Sequence, residues 1–150
     1  MPTLMQFFVY ALLAVTAGAS FVVQGAANSR LSLGLGSAYW AALFSYLGGT
    51  IVMLAVVVAT RTSWPGAAVA RPPLLAWTGG LWGAIYVVAI IVLLPRIGAA
   101  TTLALLVTGQ MLSALALDHF AALGLPHHPA DVPRLLGAAL LVAGVVLIRN

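Results

Sequence analysis

Long apolar runs, broken by short clusters of Arg, Pro, Gly and Asn, set the pattern of this chain. A helix rises about 1.5 Å per residue, so roughly 20 apolar residues cross the roughly 30 Å of bilayer hydrocarbon. Four segments reach that length, residues 4–27, 39–60, 74–94 and 98–117, and a fifth over 133–149 approaches it. The breaks run from Asn28-Ser29-Arg30 to Gly36, from Arg61 to Pro73 with three prolines, at Pro95-Arg96, and from Gly124 to Pro133. The runs are continuous and lack the alternation of barrel strands, so they predict helices. The expected fold is an all-α membrane protein with five transmembrane helices in a single domain over 1–150.

Two segments need separate argument. In the last, only residues 135–148 lie between Arg134 and Arg149, about 21 Å of helix. Both Arg side chains reach outward along their methylenes, so a short span is tolerable. Asp131 is the expected N-cap, with Pro133 in the first turn. The first segment competes with a cleaved signal peptide, because Gly25-Ala26-Ala27 offers small residues. The lack of Lys or Arg ahead of it, and a run longer than a signal core, favour a retained span.

Composition agrees with the pattern and narrows the chemistry. Of 150 residues, 63% are hydrophobic and 5% charged, where a soluble domain carries about a quarter charged residues. There is no Cys, Lys or Glu, which removes disulfides, thiolate metal sites and cysteine nucleophiles. The net charge of +4 comes from six dispersed Arg against two Asp. Such charge reads as membrane-flanking rather than as a nucleic-acid surface. No HExxH, CxxC or Walker sequence is present, and Asp118 and Asp131 are too few for a hydrolytic constellation. No enzyme, cofactor or metal is expected.

Arg in short loops sets orientation, with the richer side cytoplasmic. Five spans place Arg61, Arg71 and Arg134 on one side and Arg30, Arg96 and Arg149 on the other. The balance is either accidental or a sign of dual topology, in which two copies pair antiparallel. Such a pair supplies ten helices about a pseudo-two-fold axis in the membrane plane, the symmetry of inverted-repeat transporters. A five-helix chain has no internal inverted partner, so a homodimer is expected.

Polar residues within the spans are the candidate site. Thr16, Ser20, Gln24 and Asn28 recur every four residues on the first helix, either as helix–helix glue or as a pathway wall. The third helix carries Gly79 and Gly83, a close-packing pattern, with Tyr86 one turn on. On the fourth, Thr102, Gln110 and Asp118 form another row, beside Gly109 and Ser113. Asp118-His119 is the one acid–imidazole pair near a span. It is either a proton relay or a helix end whose carboxylate pairs with Arg134 or His128. His127-His128 reads as a solvated turn.

Several of these residues fall into motifs of a known family. Gln24-x3-Asn28-x-Arg30-Leu31 is followed by Gly36-Ser37-x2-Trp40-Ala41-Ala42, then Gly83-Ala84-Ile85-Tyr86-Val87 and Pro95-Arg96-x-Gly98-Ala99-Ala100. Gly109-Gln110 and Asp118-His119-Phe120 complete the series. In this order and spacing the chain resembles the YdcZ-like inner-membrane proteins of the drug/metabolite transporter superfamily, over nearly its whole length. The resemblance implies a five-span bacterial inner-membrane protein of transporter kinship. The small multidrug-resistance members of that superfamily carry a membrane-embedded Glu in the first helix that exchanges protons for cationic drugs. This chain has no acid there, which leaves Asp118 and His119 as the candidate relay.

The leading expectation is a dimeric small-molecule transporter working by alternating access. Gln24, Asn28, Tyr86 and Gln110 bind a neutral or zwitterionic substrate, and Gly79 and Gly83 let helices approach closely. Two other readings stand beside it. One is a dual-topology channel, for an anion given Arg30 and Arg96. The other is a non-transporting accessory subunit whose polar rows are interface glue.

Overall fold

The computed structural model describes residues 3–149. Five α-helices follow one another, α1 Leu4–Leu35, α2 Ala38–Ala59, α3 Gly79–Ile97, α4 Ala99–His119 and α5 Val132–Arg149, with no strand among the described residues. The first four are long and apolar enough to cross a membrane, counting for the third the 3-10 turn Leu74–Thr78 that leads into α3. The fifth is shorter, its apolar part covering Val132–Ile148.

Helix ends follow local chemistry. Thr3 and Gln6 form a capping box at the start of α1, with Thr3 N donating to Gln6 Oε1 and Gln6 N to Thr3 Oγ1. The break expected at residue 28 is absent, and α1 continues to Leu35. Nothing between Asn28 and Leu35 removes a backbone N–H, and a single Gly34 is tolerated. Gly36 stops the helix instead, at φ 66°, where its N–H bonds Ser32 O. At 32 residues α1 is about 48 Å long, more than the hydrocarbon alone requires.

Likewise the break expected at Pro95 moves to Gly98. Pro95 sits in the last turn of α3, where its missing N–H costs one intrahelical bond but leaves the turn intact. Gly98 then turns the chain at φ 81° and ψ 159°, a conformation open to glycine almost alone. Asp131 caps α5 as expected, its Oδ1 accepting from Arg134 N at 3.1 Å. Its backbone oxygen accepts from Leu135 N.

Two compact units divide the chain, Met1–Pro95 and Arg96–Asn150. In the first, α1 and α2 lie closely side by side. Ala41 and Ala42 of α2 pack with Val87 and Ile91 of α3 in a small buried cluster. Gly25 of α1 meets α3 where a Cβ would overlap Ile90 Cγ2, so the missing side chain sets the closeness of that approach. In the second unit α4 packs along α5, and Thr102 and Ala138 are buried. Most large apolar side chains elsewhere are exposed, as expected where lipid is the solvent.

Candidate functional site

The polar row on α1 divides into halves that behave differently. Thr16 and Ser20 return their hydroxyls to their own helix, to Leu12 O and Ala17 O. Gln24 and Asn28 instead reach across to α2. Asn28 Nδ2 donates to Ser45 Oγ at 3.0 Å, and Gln24 Nε2 makes a longer 3.5 Å contact with the same oxygen. Asn28 is buried, while Gln24 is exposed. Two amides one turn apart thus converge on one serine through their N–H groups, and neither amide oxygen takes a partner among the described residues.

Tyr86 joins this cluster from α3. Its ring stands edge-on to Phe21 of α1, centroids 5.6 Å apart at 78°, a favourable aromatic geometry. Phe21, Gln24, Gly25 and Asn28 lie within two turns of α1, so aromatic and amide groups share a neighbourhood. The arrangement carries hydrogen-bonding capacity and ring faces but no formal charge.

The two packing glycines separate. A Cβ on Gly83 would overlap the Tyr46 hydroxyl, so Gly83 makes a close α2–α3 approach. Gly79 has open space around its Cα. Gln110 belongs to the second unit, where it is exposed in an open trough of about 500 Å3 along α4 that includes Leu105, Gly109, Ser113 and Leu117. Thr102, on the same expected row, is fully buried and bonds Gly98 O. Eight residues of helix rotate by about 80° beyond whole turns, which takes Thr102 and Gln110 off a common face.

Asp118 and His119 take different partners. Asp118 Oδ2 accepts from Arg134 Nη1 at 3.3 Å, with both side chains about a third exposed. Arg134 also donates to His128 O. His119 Nδ1 accepts from Ala130 N at 3.3 Å, and its ring stands edge-on to Phe120. Together these contacts tie the α4–α5 connection to the end of α4. Among the described residues no three of His, Asp or Glu gather as a metal site would require.

Ser45, Tyr46, Phe21 and Gly25 lie outside the set of site residues expected from the sequence. A signal existed for Ser45 and Tyr46, polar groups inside an otherwise apolar span. None existed for Gly25, since only the approach of Ile90 distinguishes it from the other glycines.

Comparison with known proteins places this architecture. A family model described as "Putative inner membrane exporter, YdcZ" matches residues 9–147. The chain is 32% identical over 138 residues to the inner membrane protein YdcZ of Escherichia coli (strain K12), covering 91% of each. No solved structure matches it. The matched region takes in α1 from its second turn through nearly all of α5. With its apolar helices and this likeness, the chain is a multi-pass bacterial inner-membrane protein and belongs to the YdcZ family.

Proposed function

We propose that this protein is a secondary transporter that moves a small neutral or zwitterionic molecule out of the cell. The observation that carries this reading is the convergence of Gln24 and Asn28 on Ser45 beside the Phe21–Tyr86 ring pair. Polar groups in a span are costly and mark pathways or interfaces. Neutral amides and ring faces recognise hydrogen-bonding, planar or aliphatic groups without demanding charge. The family description, which names an exporter, supports the direction.

In this proposal the chain forms a single membrane domain with five spans and works as a homodimer by alternating access. The three-against-three Arg distribution supports antiparallel pairing. Gln24, Asn28 and Tyr86 bind substrate. Gly83 lets α2 and α3 approach closely. If transport is proton-coupled, Asp118 and His119 are the candidate groups.

The test is flux in proteoliposomes with a panel of radiolabelled amino acids, nucleosides and sugars. Saturable uptake with counterflow, lost in Asn28→Ala and Gln24→Ala, is the expected result. Linear, non-saturating ion current would point to a channel. A second reading, an accessory subunit, is favoured by the Asn28–Ser45 bond itself, which is sufficient as helix–helix glue. That reading predicts no flux for any probe and a second membrane protein co-purifying.

A further inference from the structure

The α2–α3 connection, residues 60–78, is the longest non-α-helical stretch among the described residues. It holds two short 3-10 turns, Gly66–Ala70 and Leu74–Thr78, and three prolines. Residues 62–65 and 71–73 lie in no helix, and the bonds beside them are short turns such as Ala68 N to Pro65 O and Ala76 N to Pro73 O. Such irregular backbone is excluded from lipid hydrocarbon. Its side chains argue against bulk water. Leu74 is 90% exposed, Trp64 84% and Trp77 56%. The layer that satisfies both demands is the headgroup region, where Trp is enriched.

Charge identifies what this segment meets there. The unit from Met1 to Pro95 contains no Asp or Glu, so Arg61 and Arg71 have no carboxylate partner within it. Neither guanidinium takes a side-chain partner among the described residues, where the ion pair is Arg134–Asp118. Arg61 also occupies an unusual backbone position. Arg61 N bonds Val58 O and Thr62 N bonds Val57 O, which is the Schellman closure of α2. Arg61 stands at its left-handed residue, φ 51°, where glycine is the default and Gly36 fills the corresponding place after α1. A cation is favoured at a helix C-terminus by the dipole. That accounts for one charge and not for Arg71, ten residues on.

We propose that residues 60–78 lie in the headgroup layer and bind an anionic phospholipid, its phosphate held by Arg61 and Arg71 and its glycerol region flanked by Trp64 and Trp77. Guanidinium forks match phosphate geometry. The proposal depends on the chain's place in the membrane and not on transport.

The experiment uses the full chain in nanodiscs of phosphatidylcholine with or without about a third phosphatidylglycerol, read by native mass spectrometry and thermal unfolding. Arg61→Gly is the chosen variant, because glycine accepts the turn and removes the charge alone. Arg71→Gln is its partner, and Arg30→Gln, outside the connection, is the control. Expected is retained phosphatidylglycerol and a raised Tm for wild type, with several-fold less retention in Arg61→Gly/Arg71→Gln and no loss in Arg30→Gln. Single-Trp variants that keep Trp64 or Trp77 should be quenched by lipids brominated near the headgroup. Equal retention in the double variant, or free quenching of both tryptophans by aqueous iodide, overturns the proposal. Displacement by inorganic phosphate at matched concentration also overturns it, in favour of a general anion site.

Discussion

Asn28 and Ser45 are joined by a 3.0 Å hydrogen bond between α1 and α2, and Asn28 is buried with 7% of its surface exposed. In water such a bond exchanges with solvent at little net gain. In hydrocarbon the unfolded helices also find partners, so transmembrane bonds average only about 0.6 kcal/mol and reach about 1.7 kcal/mol. The pair therefore contributes modestly to stability while placing two amides at a fixed point.

A double-mutant cycle separates these roles. Asn28→Ala, Ser45→Ala and the double variant should give a coupling energy of about 0.6 kcal/mol, and not more than about 1.7 kcal/mol. Unfolding in mixed micelles is the measurement. If coupling is small but Asn28→Ala abolishes flux, the side chain serves substrate more than packing. A large coupling with unchanged flux makes it glue.

Three glycines should respond in graded order to alanine. Gly25→Ala pushes a methyl into Ile90, a buried β-branched side chain with little freedom to yield, so a loss of about 1–3 kcal/mol is expected. Gly83→Ala meets only the hydroxyl tip of Tyr46, which can swing aside, so its loss is smaller, and adding Tyr46→Phe restores most of it. Gly79→Ala faces open space and stays within about 0.5 kcal/mol of wild type. Thermal unfolding in one detergent ranks all three, and a Gly79 effect equal to that of Gly25 would refute the packing account.

The legibility of the chain follows from the range of each signal. The spans were readable because twenty consecutive apolar residues have no other solvent. Helix ends were less so. The polar cluster 28–30 looks like a break, yet Asn28 faces Ser45, Ser29 is buried, and Gly36 supplies the stop. Asp131 as cap was legible because capping acts over a few residues, whereas the Arg134 partner of Asp118 was only one of the alternatives the sequence left open. Ser45 as the meeting point of two amides, and Gly25 against Ile90, were not legible. Each depends on how two helices distant in sequence are rotated about their axes, and apolar helices facing lipid on one side and protein on the other carry little periodic signal for that rotation.

The turn at Gly98 offers a sharper stability test than any side-chain contact. With φ 81° and ψ 159°, alanine is strained there by about 1–3 kcal/mol. Gly98→Ala should lower Tm accordingly, whereas Gly109→Ala, with nothing near its Cα, should not. Equal effects would mean the α3–α4 turn does not hold this conformation.

The Asp118–Arg134 pair is about a third exposed, so its contribution is at most about 1 kcal/mol and falls with added salt. Asp118→Asn and Arg134→Gln should each be mild in unfolding assays, and the reversal Asp118→Arg/Arg134→Asp should recover part of the loss. Flux distinguishes the relay from the clasp. A variant that folds like wild type but loses pH-dependent transport assigns the carboxylate to coupling. Unchanged transport leaves it as the tie between α4 and α5.

Orientation decides the assembly. The chain has no cysteine, so one added after Asn150 reports its own side of the membrane. Impermeant thiol labelling of intact cells, compared with permeabilised ones, should modify about half the population if balanced Arg gives dual topology. A cross-link between that cysteine and its copy should then fail, because antiparallel copies hold their C-termini on opposite faces. All-or-none labelling means one orientation. The antiparallel homodimer would then fall, and the inverted half needed for alternating access would have to come from a second, different chain.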